Sequence, residues 1–213
     1  GVVFVVMDDV CYAVNAKSGK LIWKKSAYDI IAISDQYVFL ATYKGTLAVN
    51  RNNGNVIWRN KDGFENFILN DDCIYVRSEN ILSSLNVYTG KVRWSTKLAE
   101  PFCQTPDKSK NLVINPKGEL IGSIALAPNG FIYFFSSNIT TGNVYLNEIN
   151  TITKISRKID IHDPDFNIFS IDDIFPVFDN KGNIYIQLYP GMAAIRLSDG
   201  NIVWKKRYDG LIL

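Results

Sequence analysis

One histidine, three cysteines and two methionines stand among 213 residues, and each scarcity excludes chemistry. A lone His162 cannot supply the His/Cys cluster of a zinc site. No Ser elbow between strand and helix and no phosphate-binding glycine loop accompanies it, so hydrolase and metallo-enzyme readings fall away and His162 reads as a loop residue. Cys11, Cys73 and Cys103 show no CxxC spacing, and an odd number cannot all pair within one chain. Unpaired, buried thiols are expected; a Cys11–Cys73 disulfide would need two strands of different repeats to come within about 7 Å at Cα. Charge of one sign is also lacking. The formal net charge is +2 with both signs interspersed, which gives no basic field for nucleic acid and no acidic tail. No apolar run reaches 18 residues, so no membrane-spanning helix is expected. The chain opens on Gly1 in a strand-like stretch, from which a missing upstream segment is expected; no targeting signal can be judged.

What the chain does have is apolar content, 47% with 13% aromatic, enough to fill a core, and a phrase that recurs. AKSGKLIWKK at 16–25 returns as RNNGNVIWRN at 51–60, VYTGKVRWST at 87–96 and LSDGNIVWKK at 197–206. Each copy is a short strand, a polar turn ending in glycine, and a second strand ending in tryptophan. The glycine fits because one turn position needs positive φ. Upstream of the hairpins lie further strand pairs: Ile31–Ser34 with Tyr37–Ala41, Phe67–Leu69 with Cys73–Arg77, and Ile174–Phe178 with Asn183–Leu188. The repeating unit is therefore four antiparallel strands.

Trp23 to Trp58 is 35 residues, Trp58 to Trp94 is 36, and Trp94 to Trp204 is 110. The long gap predicts a degenerate unit over Ile124–Ile161, with Ser156 in the tryptophan place and the turn glycine lost, and an insertion over 97–122. Small sheets repeating at this period bury their faces by stacking around an axis, which predicts an all-β propeller of four-stranded antiparallel blades. The blades end near Trp23, Trp58, Trp94, Ser156 and Trp204, and 1–213 reads as one domain. Either Leu211–Leu213 completes the N-terminal sheet and closes about five blades, or the chain is an arc of a larger propeller.

The phrases YAVNAKSGKLIW and LAVNRNNGNVIW resemble the PQQ-like repeat, named for pyrroloquinoline-quinone dehydrogenases, and within it the non-enzymatic type found in outer-membrane assembly lipoproteins. The resemblance implies that Trp23, Trp58, Trp94 and Trp204, with the turn glycines Gly19, Gly54, Gly90 and Gly200, dock each blade on its neighbour. It implies an extracytoplasmic setting, periplasmic, secreted or luminal. The family's dehydrogenases carry an adjacent cysteine pair, a carboxylate base and calcium ligands. No adjacent cysteines occur here, so no cofactor and no enzymatic activity are expected, and a dehydrogenase fragment is the minor alternative. Asp160, Asp163, Asp165, Asp172 and Asp173 offer hard oxygens for calcium, but Asp between strands is commonly a turn residue, as expected for Asp8–Asp9 and Asp71–Asp72.

Two functions fit. The first is a scaffold that binds other proteins through loops and blade edges, where Phe64, Phe67, Phe102 and Phe166 are either contact residues or ordinary core. The second is a sensor or ligand-binding domain of a larger receptor or secreted protein, for which open strand edges would permit self-association. Asn138-Ile139-Thr140 is a glycosylation sequon that matters only in a eukaryotic secretory protein.

Overall fold

The computed structural model describes residues 1–64, 66–78, 81–98, 120–137, 143–161, 176–188 and 191–207. Within them every regular element is a strand, and the strands form five antiparallel sheets. The chain divides into two compact units, Gly1–Thr96 and Lys97–Leu213.

Unit 1 holds three sheets. The first has three strands, β1 (Val2–Met7), β2 (Val10–Asn15) and β3 (Leu21–Ser26). The second has β4 (Asp29–Ile33), β5 (Tyr37–Thr42), β6 (Gly45–Asn50) and β7 (Val56–Asn60), and the third β8 (Asn66–Asn70), β9 (Cys73–Ser78), β10 (Ile81–Asn86) and β11 (Val92–Lys97). Within each sheet consecutive strands are hydrogen-bonded neighbours, as short polar turns dictate. Alternation along each strand sends side chains to both faces, and both faces of the second sheet are apolar. Val38, Leu40, Leu47 and Val49 cluster with Cys11, Ala13 and Trp23 of the first sheet. Phe39, Ala48 and Trp58 cluster with Ile74, Val76, Leu85 and Val87 of the third. A sheet buried on both faces explains why β5 and β6 read as continuous apolar runs rather than alternating ones.

Unit 2 holds β12 (Leu120–Leu126), β13 (Phe131–Ser137), β14 (Val144–Asn150) and β15 (Ser156–Asp160) in one sheet, and β16 (Val177–Phe178), β17 (Asn183–Leu188), β18 (Gly191–Arg196) and β19 (Ile202–Arg207) in the other. Their shared core includes Tyr133, Phe135, Leu146, Ile159, Ile184, Ile186, Ala193 and Ile195.

Two expectations change. The expected insertion of 97–122 ends earlier, because β12 already starts at Leu120; a register shift between Ile121 and Ala125 breaks the alternation that would have marked the strand. Strand β4 starts two residues before the expected Ile31. Of the two roles open to Phe64 and Phe67, the structure gives the core one: both pack on the Trp58 cluster, with the Phe67 ring 5.2 Å from Phe39. Cys11 and Cys73 are free and buried. Asp8, Asp9 and Asp71 lie in the β1–β2 and β8–β9 turns with positive φ. Cys103, Phe102, Phe166, His162, Asp163, Asp165, Asp172, Asp173, the sequon and Leu211–Leu213 lie outside the described residues.

Candidate functional site: the faces between sheets

Four of the five repeat turns are built by an asparagine that the glycine and tryptophan pattern overshadowed. Asn15 Oδ1 accepts the N–H groups of Lys17 and Ser18, both at 3.0 Å, and Asn50, Asn86 and Asn150 accept the corresponding pairs. The turn then closes by a backbone bond from its glycine N–H to the asparagine carbonyl, 2.9 Å for Gly54 to Asn50. In three sheets the next strand carries a one-residue bulge: Ala13 faces Trp23 while Val14 faces Leu21, and Ala48–Trp58 and Ala194–Trp204 repeat this. The bulge aims the indole out of its own sheet, and the alanine opposite leaves room for it.

The aimed indole meets the turn of the following sheet. Trp23 donates its ring N–H to the carbonyl of Arg51 at 2.9 Å, and Trp58 donates to the carbonyl of Val87 at 2.8 Å. In each case the acceptor is the residue after the turn asparagine. The ring lies flat against the turn glycine: a Cβ on Gly54 would come 2.7 Å from Trp23 Cγ, and one on Gly90 2.7 Å from Trp58 Cδ2. Gly54 is therefore fixed twice, by its φ of +70° and by lack of space. Both indoles are 7% exposed. Phe4 packs on Trp23 at 5.6 Å and Phe39 on Trp58 at 5.9 Å, and the guanidinium of Arg51 lies over Phe4.

The degenerate repeat solves the same problem with a charge. Ser156, expected in the tryptophan place, faces Ile149 and so stands in the place of Leu21, Val56 and Ile202 of the other hairpins. Without the bulge, Arg157 faces Glu148, where Trp23 faces Ala13. Arg157 Nε bonds Glu148 Oε1 at 2.7 Å, and its Nη atoms donate to the carbonyls of Ser198 (3.0 Å) and Leu197 (3.2 Å). Leu197 follows Arg196, the residue in the asparagine position, so its carbonyl is the counterpart of the one that takes an indole N–H elsewhere. Above Gly200 lie Ile159 and the Asp160 carbonyl instead of a ring. The bond to Glu148 pushes the Arg157 pKa up. The lost turn glycine is replaced by Lys154, which adopts φ +64° and donates its N–H to Asn150.

The other docking residues are placed differently. Trp94 is half-buried beside Tyr75, with ring centres 6.0 Å apart. Trp204 is 41% exposed and stands 6.0 Å from Tyr185. Gly19 has no atom within 4 Å of a Cβ position. Val3, Val5 and Met7 of β1 are exposed, Val3 to 50%, on the outer face of the first sheet. Val2 faces Asn15 as Tyr37 faces Asn50, so Val3 and Val5 are the counterparts of Val38 and Leu40, which are fully buried.

No group of three or more His, Cys, Asp or Glu able to hold a metal occurs among the described residues. Burial pushes the Cys11 thiol up to about 11. The Asp179 carboxylate is held well below its usual range by bonds from the side chain and N–H of Asn183, the Tyr185 hydroxyl and the Lys181 N–H, which close the β16–β17 turn. No described helix is long and apolar enough to cross a membrane.

The family described as outer membrane protein assembly factor BamB matches residues 44–206. No curated protein matches this chain. Among solved structures, BamB from Moraxella catarrhalis is similar at 14% identity and a TM-score of 0.60, over 98% of this chain and 59% of that one. Hsv2p from Kluyveromyces lactis is similar at 13% identity and a TM-score of 0.55, over 98% and 60%. The extracellular domain of a protein described as a one-component system of B. thetaiotaomicron is similar at 15% identity and a TM-score of 0.55, over 97% and 26%. The chain thus spans about three-fifths of the first two, and at such identities the likeness carries the fold alone. With four-stranded antiparallel sheets, the repeat hairpin and the matched family model agreeing, the chain belongs to the BamB-type family of PQQ-like repeat β-propellers.

Proposed function

We propose that this chain is a non-catalytic scaffold that binds other proteins in an extracytoplasmic compartment. The family match supports the class and the compartment, and because it spans both units we take 1–213 as one propeller domain. The observation that carries the reading is the outer face of the β1–β3 sheet. Val3 and Val5 are exposed, and Gly19 is open, at positions whose counterparts in the next sheet, Val38, Leu40 and Gly54, lie under apolar side chains and an indole, and exposed Met7 extends the same face. An exposed apolar face of this kind is suited to a protein partner. Trp23, Trp58 and Arg157 act as docking groups within the scaffold, and exposed Trp204 offers the same group to a partner, a second copy of the chain included.

A photo-crosslinking amino acid at Val5 tests this in the source cell. We expect a protein adduct there, lost when Val3 is changed to Lys, and none from the exposed turn residue Ile152. Equal labelling at both positions, or alcohol-dependent dye reduction by the protein with added pyrroloquinoline quinone, would overturn the proposal. The sensor reading draws support from the likeness to an extracellular domain. Sequencing the source transcript through both ends decides between them, since a membrane span joined to an effector domain would favour the sensor.

A further inference from the structure

Three loop segments meet at one end of the first two sheets, and of their residues Ala27 alone joins the described cluster between the faces. They are the Asp8–Asp9 turn, the Ala27–Tyr28 crossover and the Tyr43–Lys44 hairpin tip. The crossover is pinned at both residues, since Ala27 N–H donates to the Asp9 carbonyl at 2.9 Å and Tyr28 N–H to the Ala41 carbonyl at 3.0 Å. On this fixed backbone the Tyr28 and Tyr43 rings lie 5.2 Å apart at 43°. Tyr43 is 79% exposed, and its hydroxyl donates to Asp9 Oδ2 at 3.0 Å.

Folding does not account for this pair. Neither ring belongs to the two clusters described in unit 1, whereas Phe64, the aromatic of the next crossover, packs inward on the Trp58 cluster. The turn beside it is also costly. Asp8 and Asp9 have φ of 51° and 57°, a conformation that Asn-Gly adopts more cheaply. The three segments, 7–10, 27–29 and 42–45, carry Asp8, Asp9 and Asp29 against one base, Lys44. Aromatic faces are negative at their centre and attract cations, and a guanidinium both stacks on a ring and pairs with a carboxylate.

We propose that Tyr28, Tyr43 and Asp9, with Asp8 and Asp29 at the rim, form a binding site for an arginine side chain presented by a partner protein. The site rests on the scaffold reading and supplies the chemistry of one partner. Tyr43 offers its outer ring face, and its bond to Asp9 holds ring and carboxylate in one orientation before the partner arrives, which lowers the ordering cost of binding.

The test is a titration of the full chain, labelled with ¹³C in its tyrosine rings, with the peptide acetyl-Gly-Arg-Gly-Arg-Gly-amide and with its Glu counterpart. We expect saturable shifts of the Tyr28 and Tyr43 ring signals with the arginine peptide and none with the acidic one. Tyr43→Ala should weaken binding about fivefold, and Asp9→Asn about two- to fivefold, with the melting temperature of Tyr43→Ala unchanged. Tyr43→Phe, which keeps the ring, should fall between wild type and Tyr43→Ala. No saturable shift at these rings, or equal affinity in wild type and Tyr43→Ala, would overturn the site. The Val5 adduct is read independently, so failure here leaves the scaffold reading standing and failure there does not mimic this one.

Discussion

The Trp58 contact of unit 1 and the Arg157 contact of unit 2 reach counterpart carbonyls by different physics. Trp58 arrives through a bulge, opposite an alanine, and buries a ring on a glycine. Arg157 arrives without the bulge, opposite Glu148, and reaches the carbonyl with a guanidinium that is half-exposed. The conserved element within the chain is thus the turn with its acceptor, while the donor is interchangeable if its cross-strand partner changes with it. Alanine with tryptophan and glutamate with arginine are two matched pairs; a mixture of them would leave either a cavity or an uncompensated carboxylate.

The strongest way to break the comparison is Trp58→Ala, for which a loss of about 3–5 kcal/mol is expected from urea unfolding, because a core indole and its hydrogen bond vanish together. An unmoved midpoint would mean that the ring does not hold the sheets. Next in size, Gly54→Ala should cost more than Gly19→Ala. The left-handed φ alone costs roughly 1–2 kcal/mol at either turn. Only Gly54 adds collision with Trp23, so the difference between the two variants measures the ring contact, and equal losses would remove it from the account.

Arg157→Ala is expected to cost less, about 1–3 kcal/mol, since the arginine is half open to water but its loss leaves the nearly buried Glu148 carboxylate without its partner. Its cost should shrink in 0.5 M salt, whereas that of Trp58→Ala should not; a salt-independent loss at Arg157 would make it a packing residue. The smallest effect concerns Asp179. Its pKa is depressed in the folded chain, so it contributes stability above the ordinary carboxylate pKa, and that contribution is lost as pH falls through that value and below. Asp179→Asn should therefore flatten the acid limb of the stability profile slightly, and an unchanged limb would show that the turn bonds do not discriminate the charged form.

The propeller class was legible because glycine and tryptophan recur at a fixed spacing, and a spacing survives even when the residues between change. The degenerate repeat was harder. Its turn kept Asn150, whose side chain caps the turn as Asn15 does, but Lys154 hides the glycine position and the absent bulge shifts every later residue by one. Counting residues from the turn therefore lands on the wrong partner, and only the ladder reveals that Arg157 faces Glu148. The Tyr28–Tyr43 pair had no sequence signal either, since residues 15 apart on different loops are brought together by hydrogen bonds that no local pattern encodes.

Replacing an indole with a guanidinium also divides the chain optically. Unit 1 contains Trp23, Trp58 and Trp94, two of them shielded from water, while unit 2 contains only the exposed Trp204. Intrinsic fluorescence excited at the red edge of tyrosine absorption will therefore follow loss of structure in unit 1 and change little when unit 2 melts. Circular dichroism follows both, and a gap between the two curves would directly time the order in which the units come apart.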